Sequence, residues 1–237
     1  MQADPQGPPS PKAAESRAGD RMCASFVLLA LIALCCGVEL VLIAADYGLV
    51  GTPRWRGLAY QNGAFWAGLL YNWRPNYAAQ PGLMFVTYAF LHSGLGHLLG
   101  NMLTLIFLGP IAQERVGQRG LAALYAISAI GGAVAFAVLS DSPQPMVGAS
   151  GALFGLAGAW QYWEWADRRH AGRRTWPVWR TVLGLVFLNA VLWLWMDGSL
   201  AWETHLGGFI AGWLGAMVLG RMGKGKPMQS DGAGGAA

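Results

Sequence analysis

Residues 24–45 read ASFVLLALIALCCGVELVLIAA, 22 positions with a single charged side chain, Glu39. At about 1.5 Å per residue a helix of this length covers roughly 33 Å, enough to cross a hydrocarbon core of about 30 Å. The rest of the chain agrees with a membrane setting. Hydrophobic residues make up 54% and charged ones 12%, about half the charged share of soluble domains. Twelve tryptophans suit a protein that meets two lipid–water interfaces. These values exclude an ordinary soluble globule.

Before this stretch lie residues 1–21, MQADPQGPPSPKAAESRAGDR, rich in Pro, Gly, Ala and charge. They are expected to form a disordered cytoplasmic tail and are too polar for a cleaved signal peptide. Residues 22–222 are expected to form one membrane domain, and 223–237 a flexible cytoplasmic tail. Cys23, Cys35 and Cys36 have neither metal-site nor disulfide-framework spacing and read as small apolar fillers.

Six segments are apolar enough to be spans: about 24–45, 96–111, 121–139, 150–165, 176–196 and 202–220. Their orientation follows from charge. With both termini inside, 13 of the 16 Lys and Arg fall on the inner side, and Arg54, Arg56 and Arg74 on one long outer loop. This is a positive-inside pattern for an all-α, six-helix bundle with N-in/C-in topology. Because the net charge of +4 follows topology and forms no patch, nucleic acid is not expected as a partner. The lipid bilayer is. The outer loop, about 46–83, carries Trp55, Tyr60, Phe65, Trp66, Tyr71, Trp73 and Tyr77. It is expected to lie in the outer interface, mainly for packing and anchoring.

Polar residues inside membrane helices need a role. Depth can be measured from the basic residues that mark the inner side, at about 1.5 Å per residue. Asn101 and His97 then lie roughly 21 and 27 Å above Arg115, Ser150 roughly 27 Å above Arg168, and His205 roughly 24 Å above Arg221. All four share one layer towards the outer face. A serine hydroxyl needs a base to become a nucleophile, and histidine is the usual base near neutral pH. The oxyanion formed on attack needs donors already in place. His97 and Asn101, one turn apart, face the same way, and Ser150 begins its helix, where free N–H groups favour an anion. No acid completes a triad. Glu203 points away from the side His205 faces, so a Ser150–His205 dyad is expected, with the Phe154 ring supporting the imidazole. His92 reads as a structural, loop-fixing residue, and Glu39 and Asn189 as internal polar contacts. The chemistry calls for no metal and no cofactor.

Two ladders of small residues, Gly151/Gly155/Ala159 and Gly208/Gly212/Ala216, would let the fourth and sixth spans approach backbone to backbone just below Ser150 and His205. The fourth span is too short to reach the outer surface. DSPQPMVGA at 141–149 must therefore enter the membrane as irregular backbone, buried in protein or lining a wet cavity.

The strings His92-Ser-Gly-Leu-Gly-His97-Leu-Leu-Gly-Asn101, Gly148-Ala-Ser150-Gly151 and His205-Leu-Gly-Gly208, with Gly212 four further on, resemble the rhomboid family of intramembrane serine proteases, in its bacterial six-helix form. The resemblance implies Ser150 as nucleophile, His205 as general base, and His97, Asn101 and the Ser150 N–H as the oxyanion site. It implies transmembrane proteins as substrates, cut near or within the outer leaflet, with the fifth helix and the overlying loop controlling access. The compact form points to a bacterial inner membrane. Many bacterial members carry Trp-Arg about nine residues before the first motif histidine, where this chain has Leu83-Met84; a Trp73-Arg74 pair occurs earlier. Phe154 stands where a tyrosine is frequent. Two alternatives are a catalytically inactive rhomboid-like protein that binds transmembrane clients and, with less support, a small transporter.

Overall fold

The computed structural model describes residues 26–222. The expectations for the tails at 1–21 and 223–237, and for Cys23, lie outside the described residues. Seven helices are found among the described residues: α1 (Phe26–Asp46), α2 (Trp55–Gly63), α3 (Gln80–Thr87), α4 (Leu95–Leu139), α5 (Ser150–His170), α6 (Trp176–Trp195) and α7 (Trp202–Met222). Short 3-10 turns occupy Ala67–Leu70 and Tyr88–Phe90. Three helices, α1, α4 and α6, are long and apolar enough to cross a membrane by length and composition. α5 and α7 carry the glycine ladders and the polar residues of the site, which dilutes their apolar character.

At 45 residues, α4 would be about 68 Å long if straight. It is two arms. Gly117 has non-helical backbone, with φ 72° and ψ 178°, a conformation that glycine adopts without a Cβ penalty. Neighbours show that the chain reverses there. His97, early in the first arm, stands beside Gly148, while Gly132, late in the second, shares Thr204 with Gly151. Both arms therefore reach the level of the site. At the far end Arg115 pairs with Asp167 of α5 at 2.7 Å.

Local sequence explains the helix ends. Pro81 and Pro177 lie in the first turns of α3 and α6, where the missing N–H costs nothing. α5 ends in Arg168, Arg169 and His170, which favour the negative end of its dipole. Gly172 then turns the chain at φ 64°.

The second arm of α4, α5 and α7 form the closely packed centre. A Cβ at Gly208 would collide with the Gly151 carbonyl, one at Gly212 with that of Gly155, and one at Gly158 with that of Phe209. A further contact of this kind joins α4 to α7, where Gly131 and Gly207 touch. By contrast α6 buries only Val178.

The outer loop has more internal structure than an interfacial connector requires. Phe65 is fully buried, edge-on to Phe85, Tyr88 and Phe136; it is core, whereas Trp55, Tyr71 and Trp73 are exposed. Phe65 and Met146 also exchange two backbone hydrogen bonds of 3.0 and 2.9 Å, and Gly148 N donates to the Tyr88 carbonyl at 2.9 Å. The irregular backbone before Ser150 thus finds its partners in the outer loop and in the 3-10 turn at Tyr88–Phe90, as burial demands.

Candidate active site

Ser150 is the first residue of α5, and the residue before it makes no side-chain cap. Its hydroxyl is used elsewhere: Oγ lies 2.9 Å from His205 Nε2. The first-turn N–H groups of α5 have no partner within the helix and point towards the same end. His205, on the first turn of α7, is buried, and three side chains from two other helices surround it. The Phe154 ring, one turn after Ser150, stacks on the imidazole with centroids 4.1 Å apart and 6° between planes. On the other ring edge, His205 Nδ1 lies 2.7 Å from Asn189 Oδ1 of α6. Asn189, expected as an internal polar contact, has the imidazole of His205 as its partner.

His97 and Asn101 stand across from this pair on the first arm of α4. The Ser93 backbone N–H points at His97 Nδ1 at 3.4 Å, and Ser93 Oγ lies 2.9 Å from the same atom. An N–H can only donate, so Nδ1 accepts and Nε2 carries the proton. That N–H is on the side of Gly148, where a Cβ would sit 2.8 Å from Nε2. Gly148 has φ 124°, a second reason for glycine there. Asn101 Nδ2 donates one hydrogen to the His97 carbonyl at 3.0 Å, leaving its other N–H for the cavity it lines.

That cavity, about 450 Å³, opens beside Ser150 between α4, α5 and α6. Asn101, Ser150 and Phe154 form its upper wall, and Trp160, Gln161 and Leu185 extend it along the helices. The lining is mostly apolar with a few convergent polar groups, the usual character of a binding cleft.

His92 is fully buried and near His97, with ring centroids 5.3 Å apart. Its carbonyl accepts hydrogen bonds from Tyr60 Oη at 2.7 Å and Arg56 Nη1 at 3.0 Å. Arg56 also reaches Glu39, buried in α1, at 2.9 Å, and Asp46 at 2.7 Å. Glu39 in turn accepts from the Gly94 N–H at 3.0 Å. Partial burial works against the Arg56 charge, but hydrogen bonds to Asp46 and Glu39 hold its pKa above the ordinary arginine value. This cluster fixes the turn that launches α4 and hence His97. In the sequence Arg56 is one of three outer-loop cations, and the one sign of its partner is the lone acid in the first span, which needs a cation. Among the described residues no group of three His, Cys, Asp or Glu side chains is placed to hold a metal.

A rhomboid domain model matches residues 79–222. The chain belongs to the rhomboid family. As a rhomboid-family chain with long apolar helices it is an integral membrane protein. It is 34% identical to RHOMBOID-like protein 2 of Arabidopsis thaliana over 153 residues, covering 62% of this chain and 45% of that protein. To the Rhomboid protease GluP of Bacillus subtilis it is 30% identical over 130 residues, 55% of this chain and 24% of that one. It is also 35% identical to Inactive RHOMBOID-like protein 8 of Arabidopsis thaliana over 105 residues, 43% of this chain and 27% of that protein. The matches span less than half the length of each of these relatives. Rhomboid relatives thus include both a protease and a protein named inactive.

Proposed function

We propose that this rhomboid-family protein is an intramembrane serine endopeptidase that cuts transmembrane proteins near or within the outer leaflet. Six helices cross the membrane, namely α1, the two arms of α4, α5, α6 and α7, with both termini on the cytoplasmic side. They make one domain over about residues 22–222 between terminal segments 1–21 and 223–237. The bias of Lys and Arg to one side supports this topology.

Ser150 is the nucleophile and His205 its base. The 2.9 Å contact between Oγ and Nε2 is the observation that carries the reading. As Oγ attacks the scissile carbonyl carbon, its proton passes to Nε2. The carbonyl oxygen becomes an oxyanion held by the Ser150 N–H, His97 Nε2–H and Asn101 Nδ2–H. His205 then gives its proton to the departing amine, the C–N bond breaks, and an ester remains on Ser150. Water from the cavity attacks this ester and loses a proton to His205; the bond between the acyl carbon and Oγ then breaks, His205 passes that proton to Oγ, and the carboxylic acid product leaves. Gly148 leaves room for the oxyanion donors, Gly151, Gly208 and Gly212 let α5 and α7 close on each other, and His92 holds the start of α4.

An activity-based test is direct. A fluorophosphonate probe should label the wild type in membranes and fail to label Ser150→Ala. Equal labelling of the two removes the protease reading and leaves the binding of transmembrane clients without cleavage.

A further inference from the structure

We infer that Asn189 is the positioning residue of the base: its carboxamide oxygen fixes the imidazole of His205 in the tautomer that leaves Nε2 free to take the Ser150 proton. The inference rests on the protease reading and extends it to a helix outside the paired motifs.

The two ring nitrogens of His205 have different partners. For Nε2 to accept a proton from Ser150 it must carry a lone pair, so the proton of the neutral ring sits on Nδ1. A buried N–H without an acceptor is costly. Asn189 Oδ1, 2.7 Å away, is that acceptor. The carboxamide oxygen cannot donate, so it selects the Nδ1–H tautomer over the other. Once His205 is protonated both nitrogens are donors, and the same oxygen stabilises the cation. The partner at Nδ1 is a neutral amide, which does this less strongly than a carboxylate does in Ser-His-Asp sites. The Phe154 stack sets the plane of the ring, and Asn189 sets its rotation within that plane. The two constraints are independent, so losing one does not restore the other.

The position of Asn189 adds a consequence. It stands on α6, which buries only Val178 and borders the cavity through Thr181 and Leu185. The base is therefore aligned by a side chain from the least buried of the three long apolar helices.

The test compares wild type, Asn189→Ala and Asn189→Asp as full chains in detergent micelles, with Ser150→Ala as blank. Cleavage of a tagged single-span substrate is followed across pH. Asn189→Ala should lower kcat about ten- to a hundredfold, less than the full worth of a general base because the ring stack remains, with KM within about twofold. The acidic limb of its kcat profile should move to lower pH, since the imidazolium has lost an acceptor. Asn189→Asp should keep most of the rate and move the limb to higher pH. His97, the imidazole on the first arm of α4, is untouched in all three, so a limb that follows residue 189 belongs to His205. A change in KM alone, or an unmoved limb, overturns the inference. Nitrogen-15 spectra of labelled histidine give a readout free of turnover. The wild type should show His205 protonated at Nδ1, and Asn189→Ala should lose that preference. An unchanged tautomer overturns the inference whatever the cleavage assay shows, whereas a wild type that cleaves no more than Ser150→Ala strikes the protease reading itself.

Discussion

Phe154 and His205 lie face to face, 4.1 Å between ring centroids and 6° between planes, so an aromatic ring holds the imidazole on its flat side. A stacked aromatic pair is worth about 0.5–1.5 kcal/mol. Phe154→Ala should thus slow cleavage about two- to tenfold, whereas Phe154→Tyr should stay near the wild-type rate. Initial rates on one tagged substrate decide this. An alanine variant as fast as wild type would remove the ring from the mechanism.

Gly148 is the second point where geometry is tight. An alanine there would place its Cβ 2.6 Å from the His97 ring in a backbone conformation that side chains avoid. Gly148→Ala should lose nearly all cleavage. In the proposed mechanism His97→Ala and Asn101→Ala each remove one oxyanion donor, which should cost about 10²–10³ in kcat with the fold retained. Cleavage rates set beside thermal unfolding separate the two effects, and Asn101→Ala at the wild-type rate would contradict its role.

The ladder between α5 and α7 makes a stability prediction. Gly208→Val and Gly212→Val force methyl groups into opposing carbonyls and should destabilise by about 1–3 kcal/mol or more. Activity should fall with stability although no catalytic atom is changed. Gly184→Ala, on α6 with open space around it, should leave thermal unfolding unchanged or slightly raised. The midpoint of unfolding in micelles measures all three.

The long helices were legible as apolar runs, and the turn at Gly117 as the gap between the apolar segments 96–111 and 121–139. Ser150, His205, His97 and Asn101 were grouped by counting depth along helices, because one dimension suffices for that. Asn189 was not, since most of α6 is exposed and its apolar pattern does not single out the face that meets His205. Arg56 was missed for a different reason. Its partners Glu39 and His92 are 17 and 36 residues away, and no local pattern encodes a contact made by folding a loop back over two helices. The same holds for Phe65, which among seven loop aromatics is the one turned into the core.

The cluster under the loop can be tested by itself. Glu39→Ala removes one of the two carboxylates that Arg56 pairs with, leaving Asp46, and strips the Gly94 N–H of its acceptor, which should cost about 1–3 kcal/mol. The double variant Glu39→Ala/Arg56→Ala should lose less than the sum of the single changes, a coupling that a double-mutant cycle on thermal unfolding reports. Additive losses would mean that the pair does not act as a unit.

The central claim is that Ser150 and His205 act together as nucleophile and base. Its most direct test is cleavage of a tagged single-span substrate by purified protein in liposomes, with wild type, Ser150→Ala and His205→Ala side by side. Wild type should give a discrete product and either variant none above background. Product from Ser150→Ala at the wild-type rate, or no product from wild type under conditions where the substrate is inserted, would contradict it.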